Sequence, residues 1–257
     1  MSLALKRFLL KTCIRVWQLL RVCIALALGA GLFYCIYLVM SSPDTSSVES
    51  VVSTQPICGR LSGKTLVVPR NYVVFWAEYE GASTWDKNRA QNKKGCDAEL
   101  VSLPLVMTWP QLQPAKQSEY FRDGLKFDGL EVVLAPTGAE AFDLRTRLDA
   151  LLGYGQGESI APPAYAEELG LYFVTRQDKT FPDVLNAYYW KEQGGQVQAI
   201  FECLGNRGGS GYYNCREEFV LNELEALLKV GFTPEKLKDW KRIESSVKEF
   251  VLSSVVK

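Results

Sequence analysis

Residues 188–221 read YYWKEQGGQVQAIFECLGNRGGSGYYNCREEFVL, and this stretch decides the fold. Aromatic and β-branched residues fill the runs on either side of Gly194-Gly195 and of the glycine-rich GNRGGSG at 205–211. A Gly-Gly pair between two strand-like runs marks a tight hairpin turn, so the segment reads as an antiparallel meander. Cys203 and Cys215 flank the second turn and are placed to face each other across it.

Outward from this meander, strand-like runs dominate, at 65–68, 72–79, 99–109, 130–135, 169–175, 187–191, 196–204, 212–221 and 224–230. Helical signals are fewer. Residues 139–152 give one, and the chain end gives a stronger one: Thr233 as a cap, Pro234 at the first helical position, and Leu237, Trp240, Ile243, Val247, Phe250 and Val251 repeating on one face. The expected fold is α+β, a mainly antiparallel sheet with a C-terminal amphipathic helix against it, following one N-terminal transmembrane helix. No internal repeat stands out.

The chain has 257 residues, 47% hydrophobic and 23% charged, a composition that builds a real core. Its 29 basic and 29 acidic residues balance, which argues against a nucleic-acid partner. Histidine is absent. That excludes Ser-His-Asp and Cys-His catalysis, His-ligated zinc and imidazole pH sensing.

Charge is segregated along the chain. Lys6, Arg7, Lys11, Arg15 and Arg21 stand in the first forty residues without one acid, and residues 22–40, VCIALALGAGLFYCIYLVM, carry no charge at all. Nineteen residues at ~1.5 Å each span about 28 Å, the thickness of the hydrocarbon layer. Basic residues precede the span and the next is Arg60, so the positive-inside rule keeps residues 1–21 cytoplasmic and exports the rest. The apolar run is longer than a signal-peptide core, no small-x-small site follows it cleanly, and Leu32, Phe33 and Tyr34 before Cys35 do not form a lipobox. The expected layout is a cytoplasmic basic segment at 1–21, a transmembrane helix at 22–40, a Ser/Thr-rich tether at 41–56 and an exported α+β domain at 57–257.

Cysteine usage agrees with export. Cys13, Cys23 and Cys35 belong to the N-terminal segment, leaving Cys58, Cys96, Cys203 and Cys215 in the exported part. Four cysteines allow three pairings, and the hairpin favours Cys203 with Cys215 and therefore Cys58 with Cys96. No C-x2-C pair exists, so a four-thiolate zinc site is disfavoured, and neither metal nor cofactor is expected.

Motif-like strings dissolve on inspection. Ser62-Gly63-Lys64-Thr65 ends like a phosphate-binding loop, yet Cys58 stands where its first glycine belongs. Gly153-Tyr154-Gly155-Gln156-Gly157 lacks a dinucleotide-loop setting, and Ser210 lacks the spacing of a nucleophile elbow. Glu78 and Glu80 form the best carboxylate pair, two apart at a strand end, although glycoside hydrolysis draws its two carboxyls from different elements. Residues 86–94, DKNRAQNKK, carry four positive charges and one negative, as a solvated loop or an electrostatic docking loop would.

Aromatics on scaffolded loops are common binding anchors. The preferred contact candidates are therefore Arg207, Tyr212 and Tyr213 at the glycine-rich hairpin tip, with Trp85, Lys93 and Lys94 on the basic loop. The strings PRNYVVFWAEYEG, NKKGCDAELVSLPLVMTWPQLQP, AYYW, IFECL and YYNCREEF resemble membrane-anchored periplasmic immunity proteins encoded beside type VI secretion effectors, over residues 57–255. The resemblance implies a non-enzymatic protein that binds and neutralises a periplasm-acting antibacterial toxin, often a phospholipase. It transfers no site residue. An envelope-complex scaffold and an envelope hydrolase are the alternatives.

Overall fold

A computed structural model describes residues 55–82, 86–138, 142–153, 162–177, 181, 183–206 and 211–256. The segments expected to be cytoplasmic (1–21) and membrane-spanning (22–40), and nearly all of the tether, lie outside them. Among the described residues no helix is long and apolar enough to cross a membrane.

The meander is present and extends further than 188–221. Strands β7 (Leu171–Gln177), β8 (Val184–Gln193), β9 (Gln196–Asn206), β10 (Gly211–Leu221) and β11 (Ala226–Phe232) pair in sequence, each antiparallel to the next. Gly194 and Gly195, with φ of 60° and 79°, make the two-residue turn between Gln193 and its partner Gln196. Both positions lie where only glycine sits without cost, which fixes the register.

The sheet gains its other half from earlier in the chain. Strands β3 (Glu78–Tyr79), β4 (Leu100–Thr108) and β5 (Gly129–Pro136) pair in order, and β5 then pairs with β11 rather than with anything near it in sequence. With β6 (Ala164–Ala166) on β7, the described strands form a nine-stranded sheet in the order β3-β4-β5-β11-β10-β9-β8-β7-β6. Both edge strands are very short, which limits the open backbone offered to other sheets. A separate hairpin, β1 (Ile57–Leu61) with β2 (Lys64–Val68), turns at Ser62 and Gly63, both with positive φ. The phosphate-loop-like string is thus a hairpin corner.

One face of the sheet is covered by helix α3 (Trp240–Ser253). Trp240, Ile243, Val247 and Val251 pack on Phe201, Phe219, Leu228 and Phe232, each burial stabilising by roughly 1.5–3 kcal/mol. The Trp240 ring meets Phe201 edge-on at 5.4 Å and its Nε1 donates to the Leu169 carbonyl at 2.9 Å. The β1–β2 hairpin completes this layer through Leu61, Leu66 and Val68, and is tied to the chain end by Val67 N–H to Ser254 O at 2.9 Å.

The opposite face is covered in two patches. Helix α2 (Leu144–Leu152) sets Leu144, Leu148 and Leu152 on Val174, Tyr188, Trp190 and Ile200. It is capped by Asp143, which accepts from Arg145 N and Thr146 N, and ended by Gly153 at φ 73°. Helix α1 (Gln117–Asp123), with the turn after it, covers Val74, Val106 and Ala115 with Tyr120 and Phe127.

Three expectations change. The helix sought at 139–152 runs over Leu144–Leu152, residues 139–141 lying outside the described set. Thr233 makes no side-chain cap: a 3-10 turn at Pro234–Asp239 intervenes and α3 starts at Trp240. The run at 72–79 is a strand only at Glu78–Tyr79. Val73 and Val74 are both buried, while Phe75 and Trp76 both face solvent, a two-in, two-out pattern that no strand makes. The cause is Phe75, whose φ of 60° breaks the extended chain.

Candidate functional site

The two loops expected to carry contacts are both stapled. Cys203 and Cys215 lie directly opposite on β9 and β10 and form a disulfide with Cα atoms 4.0 Å apart. A bulge after Tyr212 shifts the register, so Tyr212 sits across from Gly205, packs on the core and has its hydroxyl pushed up by burial and by Tyr189. Tyr212 and Tyr213 are half-buried, and Arg207 lies outside the described residues.

The basic loop is held at its far end by the Cys58–Cys96 disulfide. Asn92 braces it near its start: its Oδ1 accepts from Ala82 N at 2.8 Å and its Nδ2 donates to Ala82 O at 2.8 Å. Lys87, Lys93 and Lys94 are exposed on this frame, and Trp85 lies outside the described residues.

A third surface was not read from the sequence. Phe75, Trp76, Phe121 and Leu125 are 49%, 51%, 53% and 57% exposed, large apolar groups that a folded chain ordinarily covers. They are not loose. Phe75 stacks edge-on with Trp76, Tyr120 and Phe121 at 6.1, 6.5 and 5.2 Å, and Tyr120 rests on Phe127 at 5.5 Å. The turn beneath is clamped by Arg70, which donates to the carbonyls of Val73 at 2.6 Å and Phe75 at 2.9 Å, and by Gln117 Nε2, which donates to Val73 O at 2.9 Å. Burial, then the charge of Glu131, pushes the Tyr120 hydroxyl up to about 12, so it stays protonated at any ordinary pH.

The carboxylate pair considered for hydrolysis is not assembled as expected. The β3–β4 register slips between Glu78 and Tyr79, and Glu80 lines a shallow cleft with Ser62, Glu99, Leu100, Val101, Pro136 and Gly138, whose walls do not include Glu78. Glu99 in that cleft is paired with Arg60 at 3.1 Å. Among the described residues no group of three or more Cys, Asp or Glu could hold a metal ion.

Two buried carboxyls stand next to each other on β10 and point to opposite faces. Glu218 is bonded by Arg147 of α2 at 3.2 Å, with Lys229 at 3.7 Å. Glu217 faces α3, where no donor of the described residues reaches either oxygen. Burial first, and then the Glu244 carboxyl opposite it, raise its pKa well above the ordinary carboxylate value, with Lys248 opposing. Its surroundings therefore favour the protonated form, the one form able to donate to Glu244.

The fold has a solved counterpart. Smlt3025, an immunity protein of the Stenotrophomonas maltophilia type IV secretion system, matches with a TM-score of 0.53 over 79% of this chain and 94% of its own, at 15% identity. The iron-regulated outer membrane lipoprotein FrpD of Neisseria meningitidis matches at a TM-score of 0.44 and 14% identity, over 78% of this chain and 92% of its own. The first likeness shows a shared fold. No family model and no curated protein matches the sequence.

Proposed function

We propose that this protein is an immunity protein, which binds an antibacterial toxin delivered by a secretion system and blocks it by covering its surface. The observation that carries this reading is the fold shared with Smlt3025 across nearly all of that protein. The sequence strings that resemble immunity proteins fall on the same region, including VVFW at the exposed aromatic turn and IFECL and YYNCREEF on the disulfide-bonded hairpin. Inhibition of this kind needs a well-packed interface of about 800 Å² per partner and no chemistry from the inhibitor.

The finer reading places the toxin among periplasm-acting type VI effectors, a phospholipase being the expected activity. Residues 22–40 would anchor the chain in the inner membrane with the folded part in the periplasm, within reach of such a toxin. Smlt3025 belongs to a type IV system, and what the two lines of likeness have in common is the immunity role, not the kind of secretion system. Deleting the gene is expected to leave cells sensitive to siblings that still carry the toxin, and the full chain supplied in trans is expected to restore survival. Unchanged survival of the deletion strain in that competition would overturn the reading.

A further inference from the structure

We propose that the toxin-facing surface is the aromatic platform of Phe75, Trp76 and Phe121, and that its partner is a protein presenting an apolar pocket flanked on one side by acidic residues. The inference rests on the immunity reading and adds to it the surface and the chemistry of what binds there.

The platform is built at a cost. A bulky residue at φ 60° bears backbone strain, and here the strain projects an aromatic ring into water instead of into the core. Arg70 and Gln117 hold that turn, and Phe121 reaches the same place from a segment some forty-five residues further along. Rigid, pre-positioned aromatics lose little entropy on binding, which is why they dominate interface energetics.

The charges around the platform choose between a protein and a lipid surface. Residues 116–128 hold Lys116, Arg122 and Lys126 against Glu119, Asp123 and Asp128, a balance of three and three. Lys116 is paired with Glu119 at 3.1 Å and Arg122 with Asp123 at 2.8 Å. An element that docks on anionic lipid carries a basic excess on its polar side, and α1 has none. The basic excess lies to one side: Lys87, Lys93 and Lys94 on the stapled loop. Asn92 is bonded to Ala82, six residues from Trp76, so the loop starts within roughly 20 Å of the platform. A partner that spans this distance gains an electrostatic flank beside the apolar anchor.

The two parts predict different kinetic signatures against the effector that the wild-type chain neutralises, measured with the full chain in nanodiscs. Phe75→Asn with Phe121→Ser is expected to raise koff by roughly a hundredfold and abolish protection. Asn tolerates the positive φ, so this variant is expected to melt no lower than wild type. Lys93→Glu with Lys94→Glu is expected to lower kon about tenfold at low salt, the difference vanishing as salt rises.

If the platform variant binds and protects like wild type, the inference falls while the immunity reading stands. Should that variant melt early, Phe121→Ser alone, away from the strained turn, decides instead. Brominated phospholipid in the nanodisc that quenches wild-type fluorescence, but not that of Trp76→Phe, to an equal degree would place the platform in the bilayer and overturn the protein partner. A wild-type chain that neutralises no effector removes the reading and the inference together.

Discussion

The two faces of the sheet bury neighbouring carboxyls in opposite ways. Glu217 and Glu218 are 0% and 5% exposed on consecutive positions of β10. Glu218 lies beneath a helix that supplies Arg147, with Lys229 one strand away, so its oxygens are met by donors. Glu217 lies beneath α3, a cover of Trp240, Ile243, Val247 and Val251 that sets opposite it the Glu244 carboxyl, itself bonded by Lys248. Whether a buried carboxyl meets donors here follows from which face it turns to, one residue apart, and burial without them disfavours the charged form.

Removing the cover tests the comparison most severely. Trp240→Ala deletes the largest α3 side chain from the core and is expected to cost ~3–5 kcal/mol in urea unfolding, whereas Leu148→Ala on α2 is expected to cost ~2–3 kcal/mol. An α2 loss exceeding the α3 loss would reverse the ranking of the two faces.

The next effect has its sign set by linkage. Glu217 has a folded pKa above its unfolded value, so as pH rises past about 4.5 the unfolded chain releases a proton that the folded chain keeps. Stability is then lost with rising pH, by up to ~1.4 kcal/mol per pH unit, until the folded group ionises too. Glu217→Gln removes this slope, and its stability relative to wild type is expected to grow between pH 5 and pH 8. A constant difference across that range would show that Glu217 is ionised in the fold.

Glu218→Gln is expected to move the other way, losing about 1–2 kcal/mol. The loss is smaller than for a fully buried pair because Arg147 and Lys229 are each 38% exposed and keep much of their water. Arg60→Ala breaks an ion pair whose members are 44% and 40% exposed, and is expected to change stability by less than ~1 kcal/mol, shrinking further with salt.

Legibility in the sequence followed period. The meander from Tyr188 through β10 and the apolar stripe of α3 could be read because a period of two, glycine turns and a period of 3.6 are properties of consecutive residues. The turn at Phe75 could not, since its conformation is set by Arg70 and by Gln117, the latter more than forty residues away. Helix α1 has seven residues, too few to show a stripe. Val73-Val74-Phe75-Trp76 therefore looked like one more strand, and the platform it makes with Phe121 went unseen. Tyr212 was legible as an aromatic beside a glycine loop, but the bulge that turns it onto the core has no local signature.

The pairing of β5 with β11 sets an order on folding. Ala226 lies opposite Pro136, ninety residues away, so β3, β4 and β5 gain their inner neighbour only when the last strand arrives. A chain synthesised from its N-terminus therefore carries an open sheet edge at β5 until the meander has formed behind it. Such long-range closure makes folding slow, and pulse proteolysis during refolding is expected to cut within 57–136 after β7–β10 have become protected.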